Sequence, residues 1–537
     1  MFELVRKKVR LTVMSGVVLA AAFGMPDLSH AQVTAFKTAV AETASQDESI
    51  AEFYRSRGFE PFWTGSDDVQ LARRAALIKA LDAAGAHGLP AQRYDPSQIL
   101  SDMQFAKSVR EQGVLDVELT KVFLGFARDL QSGILDPRKA HSDIKRPAPV
   151  RAANDLLEQL ATSEPDAFFR TLAPTSHEYR RLMREKMRLT NLVARGGWGD
   201  TVGGGKIEPG QSGARVVALR NRLIRMGYLP ETSVAEYETS IVSAVQAFQL
   251  DHGLEADGVA GDATLNALNV SAEDRLKSVL VAMERERWLN QPEGWGQRHI
   301  KVNLTEFMAR IYDDQKVTFE TRAVVGARDA DRRTPEFSDV MEFMVVNPSW
   351  YVPRSIVVNE YLPLLRSNPG AVGHLEITDS RGRKVNRGNG FSQYSAQSFP
   401  FAMRQPPGPR NALGLVKFMF PNKYNIYLHD TPAKSLFQRE VRAYSHGCVR
   451  LNDPFDFAYA LLAKQESDPV GVFQSHLRTG GESRINLETP VPVHLIYRTA
   501  FTQAKGRTQY RDDIYGRDAA VWSALERAGV ALISGES

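Results

Sequence analysis

The chain has 537 residues, of which 43% are hydrophobic and 24% are charged. At roughly 100–200 residues per domain this length suggests three or four domains, and the composition excludes a wholly disordered chain. The formal net charge is only +4, so no strong basic field favours a nucleic-acid partner. Cys448 is the only cysteine, so no intramolecular disulfide can form.

Residues 1–31 have the pattern of a signal peptide. An apolar stretch runs from about Leu11 to Met25, and Ser29-His30-Ala31 offers a small-x-small cleavage site. The segment begins with four basic residues, Arg6, Lys7, Lys8 and Arg10. The alternative is an uncleaved anchor, but the apolar stretch is shorter than the ~20 residues that a spanning helix needs. We therefore expect export, cleavage near Ala31 and no transmembrane segment in the mature chain.

Residues 32–195 are predicted to form a helical scaffold domain. Leu71–Leu81 places apolar side chains on one helical stripe, and Gly85 supplies a stop. The glycine-rich residues 196–206 are predicted to be a linker. They do not form a phosphate-binding loop, because the first glycine and the hydroxyl residue of that motif are missing.

Residues 207–270 are patterned as a compact module of three helices. Leu219 and Leu223 recur at helical spacing, Val245 and Phe248 mark a second helix, and Thr264–Leu268 forms a third. The glycine spacing from Gly210 to Gly261 and the run Ala247-Phe248-Gln249 resemble the peptidoglycan-binding domain attached to many wall enzymes. This resemblance implies that the module binds peptidoglycan. The alternative is a spacer that has kept the fold and lost the ligand.

A helical bridge at 271–296 leads to a β-rich unit at 297–500. Alternating patterns predict strands over 299–303, 308–312, 317–321, 340–347 and 424–429. Residues 355–410 form an insertion, with a short helix at Ser355–Tyr361 ending before Pro363 and then a polar, glycine-rich stretch. Because the insertion separates two core strands, we predict a mobile lid or a substrate-holding loop. Residues 501–537 remain as a C-terminal tail without an assigned role.

The solitary Cys448 lies in Ser445-His446-Gly447-Cys448-Val449-Arg450. A cysteine nucleophile needs a thiolate, a base and amides that hold an oxyanion. His429 closes a predicted strand 19 positions earlier and can approach the sulfur from a separate element. Gly447 permits a tight turn whose amides face a substrate carbonyl, and Arg450 adds a positive charge that favours the thiolate.

Two histidines compete for the role of base. We favour His429, because His446 and Cys448 are two residues apart on an extended turn and need not point at each other. The carbonyl or the side chain of Asp430 can orient the His429 imidazole. A buried, unreactive cysteine is one alternative. A metal ligand is another, but neither Cys-x-x-Cys nor His-Glu-x-x-His occurs, and no cofactor is expected.

The motifs His429-Asp430-Thr431-Pro432 and Ser445–Arg450 resemble the signature of L,D-transpeptidases with a YkuD-type catalytic domain. Asn347–Pro353, Arg404–Pro409 and Phe418–Asn422 also fit. Together with the signal, scaffold and wall-binding module, they make the chain similar to the large, lid-bearing periplasmic members along most of its mature length. The expected fold is a multidomain α+β chain. It contains a helical scaffold, a small three-helix peptidoglycan-binding module and a β-rich YkuD-type catalytic domain with an inserted lid subdomain.

The resemblance implies a mechanism and a periplasmic location. Cys448 would attack the third residue of a tetrapeptide stem and release D-alanine, and a diaminopimelate amine of a second stem would resolve the thioester into a 3→3 crosslink. His429 would act as base and then as acid, positioned by the carbonyl of Asp430, and the amides of Gly447 and Cys448 would form the oxyanion hole. Ser445 and His446 would shape the site. The candidate substrate contacts are Ser445, Arg450, Tyr444, Trp350 and Asn422.

The resemblance also leaves alternatives open. Many short members carry Asn at the position of Arg450, which leaves the acceptor preference undecided. Water as acceptor would make an L,D-carboxypeptidase, and a protein lysine would make a protein-to-peptidoglycan attachment enzyme. A non-catalytic wall-binding scaffold is the alternative from another class. Family members are acylated by carbapenems, and other wall-synthesis enzymes are candidate partners.

Overall fold

The structure is a computed structural model that describes residues 28–532. Most of the predicted signal peptide, residues 1–27, lies outside the described residues, as do residues 533–537. The chain divides into two compact units, one of residues up to 74 with 97–122, the other of residues 75–96 with 123 onwards. Among the described residues, no helix is both long and apolar enough to cross a membrane.

Helices make up the predicted scaffold region, as expected. They are α1 (Leu28–Ala44), α2 (Glu48–Ser56), α3 (Asp68–Asp82), α4 (Pro96–Phe105), α5 (Val109–Ser132), α6 (Pro137–Ala140), α7 (Ala153–Thr162), α8 (Pro165–Leu172) and α9 (His177–Ala194). Within the first unit, the buried carboxylate of Asp116 accepts hydrogen bonds from the Tyr54 hydroxyl at 2.6 Å and from the Trp63 amide at 2.9 Å. Buried polar groups of this kind are stable because they are hydrogen-bonded.

The predicted three-helix module is present at the expected place. Its helices are α10 (Ala214–Arg225), α11 (Thr239–Asp251) and α12 (Asp262–Asn269). Leu219, Leu223, Val245, Phe248 and Leu268 form the centre of its own apolar core. The helical periodicity of the sequence therefore located both the helices and the side chains that pack them together.

The predicted bridge is helix α13 (Ala272–Trp288), and it is buried on most sides. Several of its buried charged residues form ion pairs, with Arg287 2.9 Å from Glu284 and Arg285 2.7 Å from Glu336. Such pairs are strongly destabilising to break, because the remaining partner would be a buried unpaired charge. The bridge is therefore a central packing element of the second unit.

The β-rich unit is a sheet that closes on itself. The described strands are β1 (Arg298–Asn303), β2 (Met308–Asp313), β3 (Lys316–Gly326), β4 (Phe337–Val346), β5 (Trp350–Tyr351), β6 (Glu376–Thr378), β7 (Ala402–Gln405), β8 (Val416–Met419), β9 (Leu428–His429), β10 (Ala443–Ser445), β11 (Val449–Leu451), β12 (Ser483–Ile496), β13 (Ala500–Thr502) and β14 (Thr508–Tyr510). The large sheet has the order β10-β3-β11-β9-β8-β4-β12-β1-β2, and β2 also pairs with β3. Helices α16 (Pro454–Leu462) and α17 (Pro469–Arg478) pack on the same core.

One predicted strand of this unit is shorter than expected. The sequence predicts a strand over 424–429, but only Leu428–His429 form one. Asn425 has a left-handed φ of +55°, and the Asn422 side chain binds the backbone of the turn that precedes the strand. Asn tolerates and stabilises such turns, so the chain bends here instead of pairing.

The insertion is a folded subdomain with its own apolar core. Strands β5, β7 and β6 form a small sheet, and Leu365, Phe391 and Phe399 are buried beside it. The insertion begins with a helical stretch consisting of α14 (Arg354–Ile356), a π-helical turn (Val357–Tyr361) and α15 (Leu362–Ser367). The expected helix end before Pro363 is therefore wrong. Pro363 lies in the first turn of α15, directly after the π-helical turn, so the helical stretch continues through it.

The predicted C-terminal tail is an integral part of the fold up to residue 532. It contributes the hairpin β13–β14 and helix α18 (Arg517–Arg527). Tyr510, Val521 and Leu525 are buried in the core that also contains Leu280 of α13 and Leu189 of α9. The apolar positions of this segment are separated by polar and charged residues, so the sequence pattern did not indicate that it packs in the core.

Candidate active site

Strand pairing brings the cysteine and the favoured histidine onto one face of the sheet. β9 and β11 are parallel neighbours, with Leu428 opposite Val449 and His429 opposite Arg450. Because side chains alternate along a strand, Leu428 and Val449 enter the core, where both are fully buried. Cys448, one residue before β11, shares the opposite face with His429, and both line a cavity of about 1160 Å³.

The thiol of Cys448 is protonated in the resting site. Its Sγ donates to the carbonyl of Asn425 at 3.5 Å. Burial raises the thiol pKa to about 11, against smaller lowering effects from the Tyr427 backbone and hydroxyl and from the Arg450 charge. Arg450 therefore favours the thiolate as expected, but the cost of burying a charge outweighs it. The site therefore holds a thiol, and a base would have to deprotonate it before the sulfur could act as a nucleophile.

His429, which lines the same cavity, is the candidate for that base. Its Nδ1 lies 2.5 Å from the carbonyl of Asp430, and this contact assigns the proton to Nδ1 and leaves Nε2 as the basic nitrogen. Burial, followed by the charge of Arg450, lowers the imidazole pKa to about 3. The imidazole is therefore neutral at physiological pH and able to accept a proton. The Asp430 carboxylate accepts the amides of Leu415 and Thr431 instead.

A short loop holds the residues that lead into the cysteine. Gly447 has a φ of +107°, a conformation that glycine adopts at low cost. The Gly447 amide donates to Ser445 Oγ at 3.1 Å, and the Thr334 hydroxyl donates to the Gly447 carbonyl at 2.7 Å. The Gly447 amide predicted for the oxyanion hole is thus already hydrogen-bonded. An oxyanion can take it only by sharing or displacing Ser445 Oγ.

His446 is directed to the inserted subdomain. Its Nε2 lies 2.6 Å from Oε1 of Glu360, in the π-helical turn, and Arg332 donates to the same carboxylate oxygen at 2.9 Å. Glu360 and His446 both line the catalytic cavity. This placement suits a residue that shapes the site and connects it to the insertion.

Comparisons with known families match three consecutive parts of the chain. Residues 48–185 match the scaffold domain family, and residues 212–268 match the family described as "Putative peptidoglycan binding domain". Residues 297–492 match the L,D-transpeptidase catalytic domain family, YkuD. The chain carries a YkuD L,D-transpeptidase catalytic domain. The expected multidomain α+β fold is confirmed.

Individual proteins are also similar to parts of this chain. A protein of Haemophilus influenzae named "Putative L,D-transpeptidase" is 32% identical over 228 residues, which is 41% of this chain and 45% of that protein. The match therefore spans less than half of the curated relative. Solved L,D-transpeptidases from Xylanimonas cellulosilytica and Stackebrandtia nassauensis are 17% and 15% identical. They cover 55% and 56% of this chain and 100% and 97% of their own, with TM-scores of 0.17 and 0.21.

Within the transpeptidase domain, three of the five candidate substrate contacts line the catalytic cavity. They are Trp350, Ser445 and Arg450. Tyr444 and Asn422 are not among the residues that line this cavity, and their roles as substrate contacts stay predictions. Tyr444 is exposed beside Arg439, while Asn422 donates to the carbonyls of Phe420 and Ile426 at 2.6 and 2.7 Å.

The sequence missed three residues that organise the site. Tyr427 lies with its ring centroid 5.6 Å from that of His429 and interacts with the thiol; alternation, counted back two residues from His429, would have found it. Glu360 and Thr334 come from distant segments, and no local motif marks either. Among residues 32–532, no group of three or more His, Cys, Asp or Glu is arranged to hold a metal ion.

Proposed function

We propose that the protein is an exported periplasmic L,D-transpeptidase that forms 3→3 crosslinks between peptidoglycan stem peptides through a thioester on Cys448. The observation that carries the proposal is the position of Cys448 and His429 on one face of two paired strands, beside the same cavity. The catalytic-domain family of residues 297–492 supports the substrate class.

In the first half-reaction, Nε2 of His429 takes the thiol proton as Sγ of Cys448 attacks the carbonyl carbon of the third stem residue. The resulting oxyanion is stabilised by hydrogen-bond donors at the loop, for which the amide of Cys448 and the shared amide of Gly447 are the candidates. The C–N bond to the terminal D-alanine then breaks. The proton held by His429 passes to the departing amine, which leaves a thioester and free D-alanine.

In the second half-reaction, the side-chain amine of diaminopimelate on another stem attacks the thioester carbon. His429 takes a proton from that amine and returns it to the departing sulfur of Cys448, so a new amide forms and the thiol is restored. The cavity of about 1160 Å³ exceeds the ~300–1,000 Å³ of ordinary small-molecule pockets. This size favours a site that admits an acceptor stem beside the bound donor.

The other parts of the chain fit this role. The N-terminal pattern supports export, and the three-helix module supports binding to the wall. The partners are donor and acceptor tetrapeptide stems, and carbapenems are expected to acylate Cys448 as substrate mimics. Other wall-synthesis enzymes remain candidate partners.

Purified mature chain incubated with disaccharide-tetrapeptide tests the proposal by mass spectrometry. Free D-alanine together with a dimer joined through two diaminopimelate residues is expected, and both products should be lost in Cys448→Ala. Monomeric tripeptide as the sole product would replace crosslinking with an L,D-carboxypeptidase. A second test uses cells that lack other L,D-transpeptidases. If the amount of 3→3 crosslinks were unchanged in Cys448→Ala, the protein would be a non-catalytic scaffold.

A further inference from the structure

We propose that a second cavity, of about 510 Å³, binds the carboxylate groups of a peptidoglycan stem away from the catalytic site. It is enclosed by helix α9, the end of helix α10, helix α13 and the hairpin β13–β14. Its described wall shares no residue with the catalytic cavity. The site itself is argued from its charge and contacts, whereas the choice of a stem as its ligand rests on the proposed function.

The wall of this cavity is strongly positive. Within the described part of the chain, four of its guanidinium groups have no carboxylate within ion-pair distance, those of Arg184, Arg225, Arg275 and Arg507. The acidic residue of the wall, Glu185, is already engaged by Arg188 at 2.8 Å and by the Tyr510 hydroxyl at 2.9 Å. Guanidinium groups bind carboxylates and phosphates through paired, charge-assisted hydrogen bonds. An anionic ligand would therefore neutralise guanidinium charges that no carboxylate of the wall neutralises.

Three residues of the wall are at least nine-tenths buried and keep one polar atom without a protein partner. They are Trp198, Arg275 and His252, at Nε1, Nε and Nε2 respectively. His252 Nδ1 lies 2.8 Å from the carbonyl of Phe248, so Nδ1 carries the proton and Nε2 is an acceptor. Because these three atoms are closed off from solvent, the donors that a ligand can reach include the exposed guanidinium groups of Arg184, Arg225 and Arg507. A stem peptide presents free carboxylates that match such donors.

A purely structural role explains part of this arginine cluster. Arg507 binds the carbonyl of Gly227, Arg225 donates to Trp198 O at 3.3 Å, and Arg275 donates to Ala267 O at 3.0 Å. Cations at helix C-termini and loop carbonyls are stabilising in this way. Arg184 is different, because it is exposed on the cavity wall and has no protein partner among the described residues. A structural role does not account for the position of Arg184 on the wall, whereas a site for an anionic ligand does.

Hydrogen–deuterium exchange on the full mature chain with Cys448→Ala tests the site, since that background leaves the stem uncleaved. Added tetrapeptide stem should slow exchange in peptides covering 181–188 and 502–510. In the double variant Arg184→Ala with Arg225→Ala, the stem concentration needed for the same protection should rise about ten-fold, because charge-assisted contacts are lost. Arg180→Ala is the matched control, because it removes an exposed arginine of the same helix that lies outside the wall.

Separate arms with inorganic pyrophosphate and with a neutral N-acetylglucosamine tetramer identify the ligand chemistry. Protection by the stem, lost in the double variant alone, supports the proposal. Protection by pyrophosphate without protection by the stem would overturn the stem as ligand. Equal protection by the neutral sugar, or no protection in any arm, would overturn the anion site. D-Alanine release, measured on the same variants with Cys448 restored, separates this outcome from a failure of the proposed enzymatic function.

Discussion

Nε2 of His446 lies 2.6 Å from Oε1 of Glu360, which places the histidine nearest to the nucleophile in sequence against the inserted subdomain. The more distant His429 instead shares a sheet face with Cys448 and is oriented by the carbonyl of Asp430. These two contacts assign the roles of the histidines. In the proposed mechanism His429 acts on the thiol, and the contact of His446 with Glu360 connects the loop before Cys448 to the insertion.

Replacing each histidine by glutamine should therefore have different effects. His429→Gln should lower kcat by ~10²–10⁴-fold, because it removes a positioned general base. His446→Gln should act mainly on KM, since it weakens the contact with the insertion. Steady-state D-alanine release from a tetrapeptide stem measures both constants.

Glu360→Gln is the matched partner of this test, because it removes the charge opposite His446 and leaves the catalytic pair intact. It should reproduce the phenotype of His446→Gln. A larger loss of kcat in His446→Gln than in His429→Gln would reverse the two roles.

A second prediction concerns the support of the nucleophile loop. The Thr334 hydroxyl accepts the amide of Gly326 at 2.8 Å and donates to the carbonyl of Gly447 at 2.7 Å. Thr334→Val should leave both groups unsatisfied, at a cost of about 1–3 kcal/mol per buried group, and should lower kcat because the loop loses its position. Thermal unfolding and D-alanine release measure the two effects.

Thr334→Ser keeps the hydroxyl and is the control for this variant. It should retain most of the turnover even if packing is slightly poorer. A serine variant as impaired as the valine variant would show that the methyl group, and not the hydrogen bonds, supports the loop.

Much of this architecture could be predicted from the sequence because its signals are local. Helical periodicity located α10, α11, α12 and α13, and the cysteine motif located the nucleophile. The long insertion was harder, because its aromatic residues Phe391, Phe399 and Phe401 are scattered through a polar stretch. Their rings contact one another with centroids 5.3–6.3 Å apart, and no period of 2 or 3.6 residues reveals these contacts.

In the site, too, local sequence patterns were predictable and contacts between distant segments were not. Strand alternation is sufficient to place Tyr427, His429 and Cys448 on one face once the pairing of β9 with β11 is known. The pairing itself joins residues 21 positions apart, since Leu428 pairs with Val449 and His429 with Arg450, and Thr334 contacts Gly447 from 113 residues away. The sequence also did not indicate how deeply these two side chains are buried. Burial raises the pKa of Cys448 and lowers that of His429, so the residues rest as a thiol and a neutral imidazole.

The third prediction follows from the thiol pKa of about 11. Alkylation of Cys448 by iodoacetamide requires the thiolate, so its rate should rise about ten-fold per pH unit from pH 7 to about 10 and level off near pH 11. A free thiol of ordinary pKa, about 8.5, would level off much earlier. Mass spectrometry of the single adduct gives the rate at each pH.

The charge of Arg450 can be tested in the same assay. Arg450→Met should slow alkylation and move the plateau to still higher pH, because Arg450 lowers the thiol pKa. Arg439→Met, at an exposed position outside the catalytic cavity, is the charge-matched control. A plateau near pH 8 in the native chain would contradict the buried thiol.

A carbapenem should add one covalent mass to the mature protein, as expected if Cys448 forms acyl-enzymes. The β-lactam carbonyl takes the place of the stem carbonyl, and ring opening leaves the drug attached as a thioester. Intact-mass measurement should show one adduct in the native chain and none in Cys448→Ala. His429→Gln should form the adduct more slowly, because the thiol then lacks its base. An adduct that persists in Cys448→Ala would remove the carbapenem as a probe of this sulfur.

The last prediction is that acid destabilises the second unit through its buried neutral histidines. Burial lowers the pKa of His87 and His299 to about 4, and of His429 and His494 to about 3. Each folded-state pKa lies below the unfolded value of about 6.5, so the unfolded chain binds protons first as the pH falls. Stability is therefore fully present above pH 6.5 and is lost progressively towards pH 3.

The contribution of one such histidine can be isolated by substitution. At pH 5 a single histidine of this kind costs roughly 2 kcal/mol relative to neutral pH. The melting temperature of His429→Gln should therefore fall less steeply between pH 6.5 and 4.5 than that of the native chain. His177→Gln, which replaces an exposed histidine, controls for the loss of a titratable residue. Parallel melting curves for His429→Gln and the native chain would contradict a buried neutral imidazole at the centre of the catalytic site.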